Sequence, residues 1–236
     1  MLDLEQALDA LQESIPADRQ IIAKTIFLQG YQSVKMLEPN YAEKLKLMRR
    51  FCNLYSYAKE IIILDDFEIS TEHLVLKPLG KKYLKSTILY AMDYENTKYM
   101  CHLPDETVEE VEDFLTNVEN EWKKEQPKFL EFAIIYNDIH IGAVSVYFEN
   151  DSGELGWIIN KNYWRRGFAY EAARALINYV KTEIKISHFL AHCDAENIAS
   201  YKVMEKLGMN KTGEWGGRRN KSASEDSLEY QYEMYL

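Results

Sequence analysis

The sequence predicts an α+β fold in which an antiparallel sheet is flanked by helices and preceded by a small all-helical segment. Three observations carry this. Residues 129–159 break into three strand-like runs separated by turn residues. Residues 104–122 and 168–180 repeat apolar side chains at the helical period, so each has one face that a sheet must cover. Residues 1–65 show helical spacing throughout.

Taken in order, Leu4, Ala7, Leu8, Leu11 and Ile15 share one helical face that Pro16 closes. A second helix starts near Asp18, carries Ile22 and Ile26 and stops at Gly30; a third follows Pro39 and Asn40 and presents Tyr41, Leu45, Met48, Cys52 and Tyr55. These three form a small bundle of unassigned role over residues 1–65, with packing or dimerisation favoured. A second domain then spans residues 69–236. ISTEHLVLKPLG (69–80) alternates as a strand, with Leu74 and Leu76 on one side. A helix follows around 81–92, and another from Pro104 aligns Val108, Val111, Leu115, Val118 and Trp122. FLEFAIIY, the Asn137/Asp138 turn and HIGAVSVYF read as a hairpin, and ELGWII (154–159) continues it as a meander. Next come a helix over 168–180, a strand at ISHFLAH (186–192) and a helix at 197–208 ended by Gly208. MNKTGEW and SLEYQYEMYL close the chain as strands, and the polar loop 216–226 between them is long enough to be mobile or to cover a site.

Composition narrows the function. With 38 acidic against 28 basic residues, a net charge of −10 argues against general affinity for nucleic acid or anionic membrane. Lys44, Lys46, Arg49 and Arg50 cluster along one helix, yet acids slightly outnumber bases across residues 1–65, so a DNA-binding unit is disfavoured. The acidic start lacks the pattern of a signal peptide and no segment has the length of a membrane span, so the chain reads as cytoplasmic. Cys52, Cys101 and Cys193 are far apart and the five histidines show no ligand spacing, so no metal is expected.

The residues that carry chemistry begin at WRRGFAYEAARALINYV (164–180). Gly167 stands at the first turn of a helix whose Ala169, Ala172, Ala173, Leu176, Ile177 and Val180 face a core. Unpaired amides there favour a phosphate, Gly167 leaves them uncovered, and Arg165 and Arg166 add charge. A plain glycine turn beside two solvated arginines fits the same residues.

Two motifs in sequence turn this into a resemblance. RGFA within YWRRGFAYEAARALINYV resembles the acetyl-CoA-binding motif of the GCN5-related N-acetyltransferases, with Trp164 where the pattern has Gln or Arg. NIASYKVMEKLGM (197–209) resembles the N-x-x-S-x-x-V-x-E-K-L-G-F signature of the RimJ/RimL-like branch, with Met209 in place of the aromatic. TEHLVLKPL (71–79) is similar to the family's first strand, so the resemblance covers about residues 69–236.

The resemblance implies a mixed, mostly antiparallel central sheet flanked by helices, with acetyl-CoA lying between two splayed strands, here ELGWII and ISHFLAH. Main-chain groups near Trp157, Ile158 and Ile159 would then bond the pantetheine arm. Amides from Arg165, Arg166, Gly167, Phe168, Ala169 and Tyr170 would hold the pyrophosphate. Asn197 reads as a helix cap, and the match implies a further contact to pantetheine. The family's reaction is direct acetyl transfer to an amine, which requires a base and a proton source for the leaving thiolate. Glu154 is the candidate base, with a solvated carboxylate as the alternative. Many members use a tyrosine as the acid where this chain has Met204, so Ser200 is the first choice to serve the thiolate, ahead of Tyr201. Cys193 lacks a clear partner base and reads as a structural thiol; His188 and His192 receive no role. The expected acceptor is a peptide or protein N-terminus or a small amine, with loop 216–226 as one wall of its site. Arg218, Arg219 and Lys221 in that loop would disfavour a highly cationic substrate. The competing reading is a non-catalytic acetyl-CoA sensor whose helical segment binds a partner. A homodimer is compatible with either.

Overall fold

In a computed structural model of the chain, alternation and turn chemistry between Ile69 and Tyr235 resolve into one eight-stranded sheet. The structure describes residues 67–124 and 126–236. The three helices expected over residues 1–65 lie outside them.

The strands are β1 (Ile69–Ser70), β2 (Val75–Pro78), β3 (Phe129–Tyr136), β4 (Ile139–Glu149), β5 (Ser152–Ile159), β6 (His188–Asp194), β7 (Asn210–Arg218) and β8 (Ser227–Tyr235). Their order across the sheet is β1-β2-β3-β4-β5-β6-β8-β7. Every neighbouring pair is antiparallel except β5 and β6, which run parallel and are joined through a helix. A parallel pair requires such a crossover.

The helices are α1 (Leu84–Ala91), α2 (Tyr94–Thr97), α3 (Val108–Trp122), α4 (Phe168–Tyr179) and α5 (Ile198–Leu207). The stretch expected as one helix from 81 opens instead with a 3-10 turn, Lys81–Tyr83. The helix expected from Pro104 begins at Val108, because Thr107 caps it by accepting a hydrogen bond from the Glu110 amide. Val111, Leu115 and Val118 of α3 pack with Tyr90 and Ala91 of α1 over Phe129, Ala133 and Ala143. Alternation places Glu131, Ser145, Tyr147 and Glu154 on that same face of the sheet. On the opposite face, α4 lies against β4 and β5 and buries Ala172, Ala173, Leu176 and Ile177.

The loop between β7 and β8, expected to be mobile or to cover a site, is anchored. β7 continues to Arg218, and the fully buried Asp194 accepts hydrogen bonds from Asn220 Nδ2 and Ser227 Oγ. The Lys221 amide bonds the Met100 carbonyl at 3.0 Å. A buried carboxylate needs such donors, and supplying them holds the loop down.

Candidate acetyl-CoA and acceptor site

The site begins where β5 and β6 part. They pair only at Ser152↔His188, Gly153↔Phe189 and Glu154↔Leu190; the rest of each strand has no partner in the other. On its other edge β5 stays in register with β4 to Ile159. The Asn160 amide bonds the Ile141 carbonyl at 2.8 Å, which fixes the alternation: even-numbered residues of β5 turn their main chain toward β4, odd-numbered ones toward the gap.

That alternation sorts the main-chain groups expected to meet pantetheine. Trp157 presents its main chain to the gap, but Ile158 uses its own on β4 and contributes a side chain packed on the α1–α3 core. The Ile159 carbonyl is already taken: Trp164 Nε1 and Asn96 Nδ2 each donate to it, both at 2.6 Å. Trp164, the departure from the family pattern, thus ties the following loop back to the strand's end.

That loop delivers the chain to α4. Arg165 has φ 62° and Gly167 φ 84°, the left-handed region that suits glycine, and no side chain caps the helix. The first main-chain bond is from Glu171 N–H to the Gly167 carbonyl at 3.0 Å, so the Phe168, Ala169 and Tyr170 amides point outward without helical partners. A Cβ on Gly167 would meet nothing within 4 Å, so the space beside this turn is open. The outward amides fit an anionic pyrophosphate.

Side chains around this terminus divide into structural and exposed. Phe168 is buried against Tyr136, with ring centroids 4.7 Å apart, and fixes the first turn. Arg166 lies over the Tyr163 ring. Arg174 donates to the Tyr170 hydroxyl at 3.1 Å, and Lys206 of α5 sits 4.1 Å from the Tyr170 ring centre. Arg166, Gly167, Tyr170, Arg174 and Lys206 border an open cavity of about 860 Å³. Arg174 and Lys206 lie on different helices, and only packing α4 beside α5 gathers them.

On the far side of the gap, Asn197 caps α5, its side chain accepting from the Ser200 amide at 3.2 Å. Ser200 stands in that first turn half-buried, and its hydroxyl has no partner among the described residues. Tyr201 instead packs against Tyr230, and Met204 is buried in the core. Cys193 is buried too, and burial pushes its thiol up to about 11, which leaves it inert as a nucleophile at neutral pH.

Glu154 occupies the last paired position before the gap opens. Its Oε1 is 2.8 Å from Nδ1 of His192, so the two side chains bridge the mouth of the splay. His192, left without a role by the sequence, is therefore part of the site; strand alternation alone could not say which face it joined. The second histidine, His188, turns to Glu233 at 2.9 Å and stacks on Tyr235, away from Glu154. Tyr147 stands beside Glu154 across β4 and donates to Glu131 at 3.0 Å. Burial drives the Glu131 carboxyl up to about 7, against the opposing hydrogen bonds from Tyr147 and Ser145.

The basic loop also differs from expectation. Arg218 pairs with Glu229 and donates to the Tyr99 carbonyl, Arg219 meets Asp226 at 3.0 Å, and Lys221 lies 3.9 Å from Glu110. Each charge has a counterion, so the loop does not repel cations as a cluster.

The comparisons with known proteins agree with this geometry. The family model described as an acetyltransferase (GNAT) domain matches residues 73–210, more than half of the chain. The chain belongs to the GNAT acetyltransferase family. It is 31% identical over 149 residues to the uncharacterized N-acetyltransferase YnaD of Bacillus subtilis, covering 61% of this chain and 84% of that one. A GNAT-family acetyltransferase structure from Bacillus anthracis superposes with a TM-score of 0.62 at 29% identity, over 72% of this chain and 98% of that one. RimL, a ribosomal L7/L12 alpha-N-protein acetyltransferase solved with coenzyme A, gives a TM-score of 0.64 at 14% identity, over 72% and 98%; it shares the fold. Among the described residues of this GNAT acetyltransferase, no helix is long and apolar enough to cross a membrane, and no cluster of metal-ligating side chains occurs.

Proposed function

We propose that this acetyltransferase moves the acetyl group of acetyl-CoA directly onto a primary amine, with Glu154 as the base that frees the amine and Ser200 as the group that serves the leaving thiolate. One observation carries the reading: β5 and β6 separate immediately after Glu154↔Leu190, which puts a carboxylate at the apex of a main-chain-lined gap. Trp157 and the amides of Phe168, Ala169 and Tyr170 supply the cofactor contacts, Gly167 keeps them open, and Arg165 and Arg166 add charge. Asn197 orients the Ser200 turn.

In the reaction a proton passes from the ammonium to Glu154, the amine nitrogen bonds the acetyl carbon, and the carbon–sulfur bond breaks. As that bond breaks the new amide nitrogen releases its second proton and the sulfur takes up one in return, while the Ser200 hydroxyl donates a hydrogen bond to the departing sulfur and ends with its own proton in place. No covalent enzyme intermediate is required, and the buried Cys193 supports none. The favoured acceptor is a peptide or protein N-terminus, in line with the RimJ/RimL-like signature at 197–209; a small primary amine is the alternative.

The test is a screen of N-terminal peptides and small amines with acetyl-CoA, followed by thiol release and mass detection of the product. A mass gain of one acetyl group on an amine supports the proposal. Cofactor binding with no turnover across the panel would favour an acetyl-CoA sensor.

A further inference from the structure

Around Glu154 the side chains fix where protons can sit. Gln231 of β8 donates from Nε2 to the Glu233 carboxylate and, at 3.3 Å, to Thr212 Oγ1. Glu233 is held ionised below its usual range, first by its hydrogen bond with His188, so it accepts only. The amide orientation of Gln231 follows: its Oε1 faces His192 Nε2 at 2.9 Å. A carbonyl oxygen accepts, so Nε2 carries a hydrogen. In the neutral ring Nδ1 then bears a lone pair, and it points at Glu154 Oε1 from 2.8 Å.

Two acceptor atoms at hydrogen-bond distance with no proton between them repel, and one proton placed between them removes the repulsion. From this geometry we propose that His192 is a positioning residue for deprotonation of the acceptor: it takes at Nδ1 the proton that Glu154 lifts from the ammonium, and Gln231 holds the tautomer that allows it. The inference rests on Glu154 as the base. The balance is simple. An ammonium N–H bond breaks and a Glu154 O–H forms; that O–H then breaks as Nδ1–H forms, leaving a carboxylate beside an imidazolium whose Nε2–H remains on Gln231. No other reactant is needed.

The surroundings favour the imidazolium. Facing His192 are Glu154 from β5, Glu229 and Glu233 from β8, and Asp194 two places along β6; Tyr147 of β4 adjoins Glu154, and the Trp215 ring of β7 lies 6.2 Å away. Arg218, on the neighbouring β7, is paired to Glu229. The hydrogen bond to Glu154 is the main cause that raises the imidazole above its ordinary value, and burial opposes it. Only the deprotonated pair can receive a proton, so turnover rises with pH through a midpoint above about 6.5, the free imidazole value.

Nitrogen NMR of the imidazoles in the full-length protein tests this with no acceptor present. The expected neutral His192 is the Nε2–H tautomer with a raised midpoint, and Glu154→Gln is expected to lower that midpoint by about one unit, a tenfold change in acidity. An Nδ1–H tautomer, or a midpoint that Glu154→Gln leaves in place, overturns the proposal. Kinetics add a second arm, with thiol release from acetyl-CoA and the acceptor found in the screen. His192→Asn, whose side-chain amide stands where Nδ1 stood, can still donate to Glu154 but cannot store a proton. It should lower kcat at least about tenfold, part of the factor general-base catalysis supplies, and move the pH limb toward the carboxylate range with KM for acetyl-CoA unchanged. A His192→Asn enzyme with the wild-type limb refutes the role. Full turnover in Glu154→Gln would instead remove the base assignment on which the role rests, even with the tautomer as expected.

Discussion

The two walls of the β5–β6 gap are built from different materials. Along β5 and into α4, the groups offered to a ligand are main chain: Trp157 in the gap and the uncapped amides after Gly167. Across the mouth and onto the open face, they are side chains: Glu154, His192 and Gln231, with Tyr147 and Glu131 behind them. A main-chain wall depends on backbone path, so it tolerates substitution wherever that path survives. A side-chain wall depends on the identity of each group. Acetyl-CoA recognition and acceptor chemistry should therefore respond differently to the same kind of mutation.

The strongest test of that contrast is Glu154→Gln, which keeps the shape and removes the proposed base. We expect kcat to fall by about 100-fold or more with unchanged acetyl-CoA affinity by calorimetry; a loss of affinity would mean the walls are not separable. Gly167→Val is the converse. The left-handed φ costs a β-branched residue roughly 1–3 kcal/mol, and its side chain enters the open space beside the turn, so acetyl-CoA should bind on the order of tenfold or more weakly. Unchanged affinity would remove the phosphate cradle.

Glu131→Gln probes the buried part of the side-chain wall through pH. The folded carboxyl holds its proton to about 7 whereas the unfolded one releases it near the ordinary value of 4.5. Stability from this group is therefore complete below the unfolded value and declines as pH rises to about 7. Glu131→Gln should be the more stable protein at pH 8, by an amount on the order of 2 kcal/mol, with the difference shrinking below pH 4.5 in denaturant titrations. An equal difference at both pH values would show that the carboxyl does not titrate there.

Ser200→Ala should lower kcat by roughly tenfold, within the range of one acid–base or hydrogen-bonding group, and leave the Asn197 cap in place because the cap bonds the Ser200 amide. A wild-type rate would strip the hydroxyl of its role. The smallest effect is expected for Trp164→Phe, which removes one of two donors to the Ile159 carbonyl. Loss of about 1 kcal/mol of stability, with a modest weakening of acetyl-CoA, would confirm that this indole holds the loop against the strand.

Much of this was legible in the sequence because it is local. Alternation gave the β3–β4–β5 meander, helical period gave α3 and α4, and Gly167, Asn197 and Gly208 marked helix ends through backbone preferences confined to a single turn. The two spaced motifs pointed to the gap and the cradle. What the sequence could not decide is long-range or depends on parity. Which residues of β5 turn toward the gap follows from the register with β4, and that register frees Trp157 while engaging Ile158. The Ile159 carbonyl is claimed by Asn96, far away in sequence, as well as by Trp164. The polar loop after β7 looked loose because its anchors, Asp194, Met100 and Glu229, come from other elements. His192 had no visible purpose until β6 was set parallel to β5 and beside β8. Only then did Glu154 and Gln231 meet its two nitrogens, because hydrogen bonds between strands depend on spatial neighbours that sequence order does not specify.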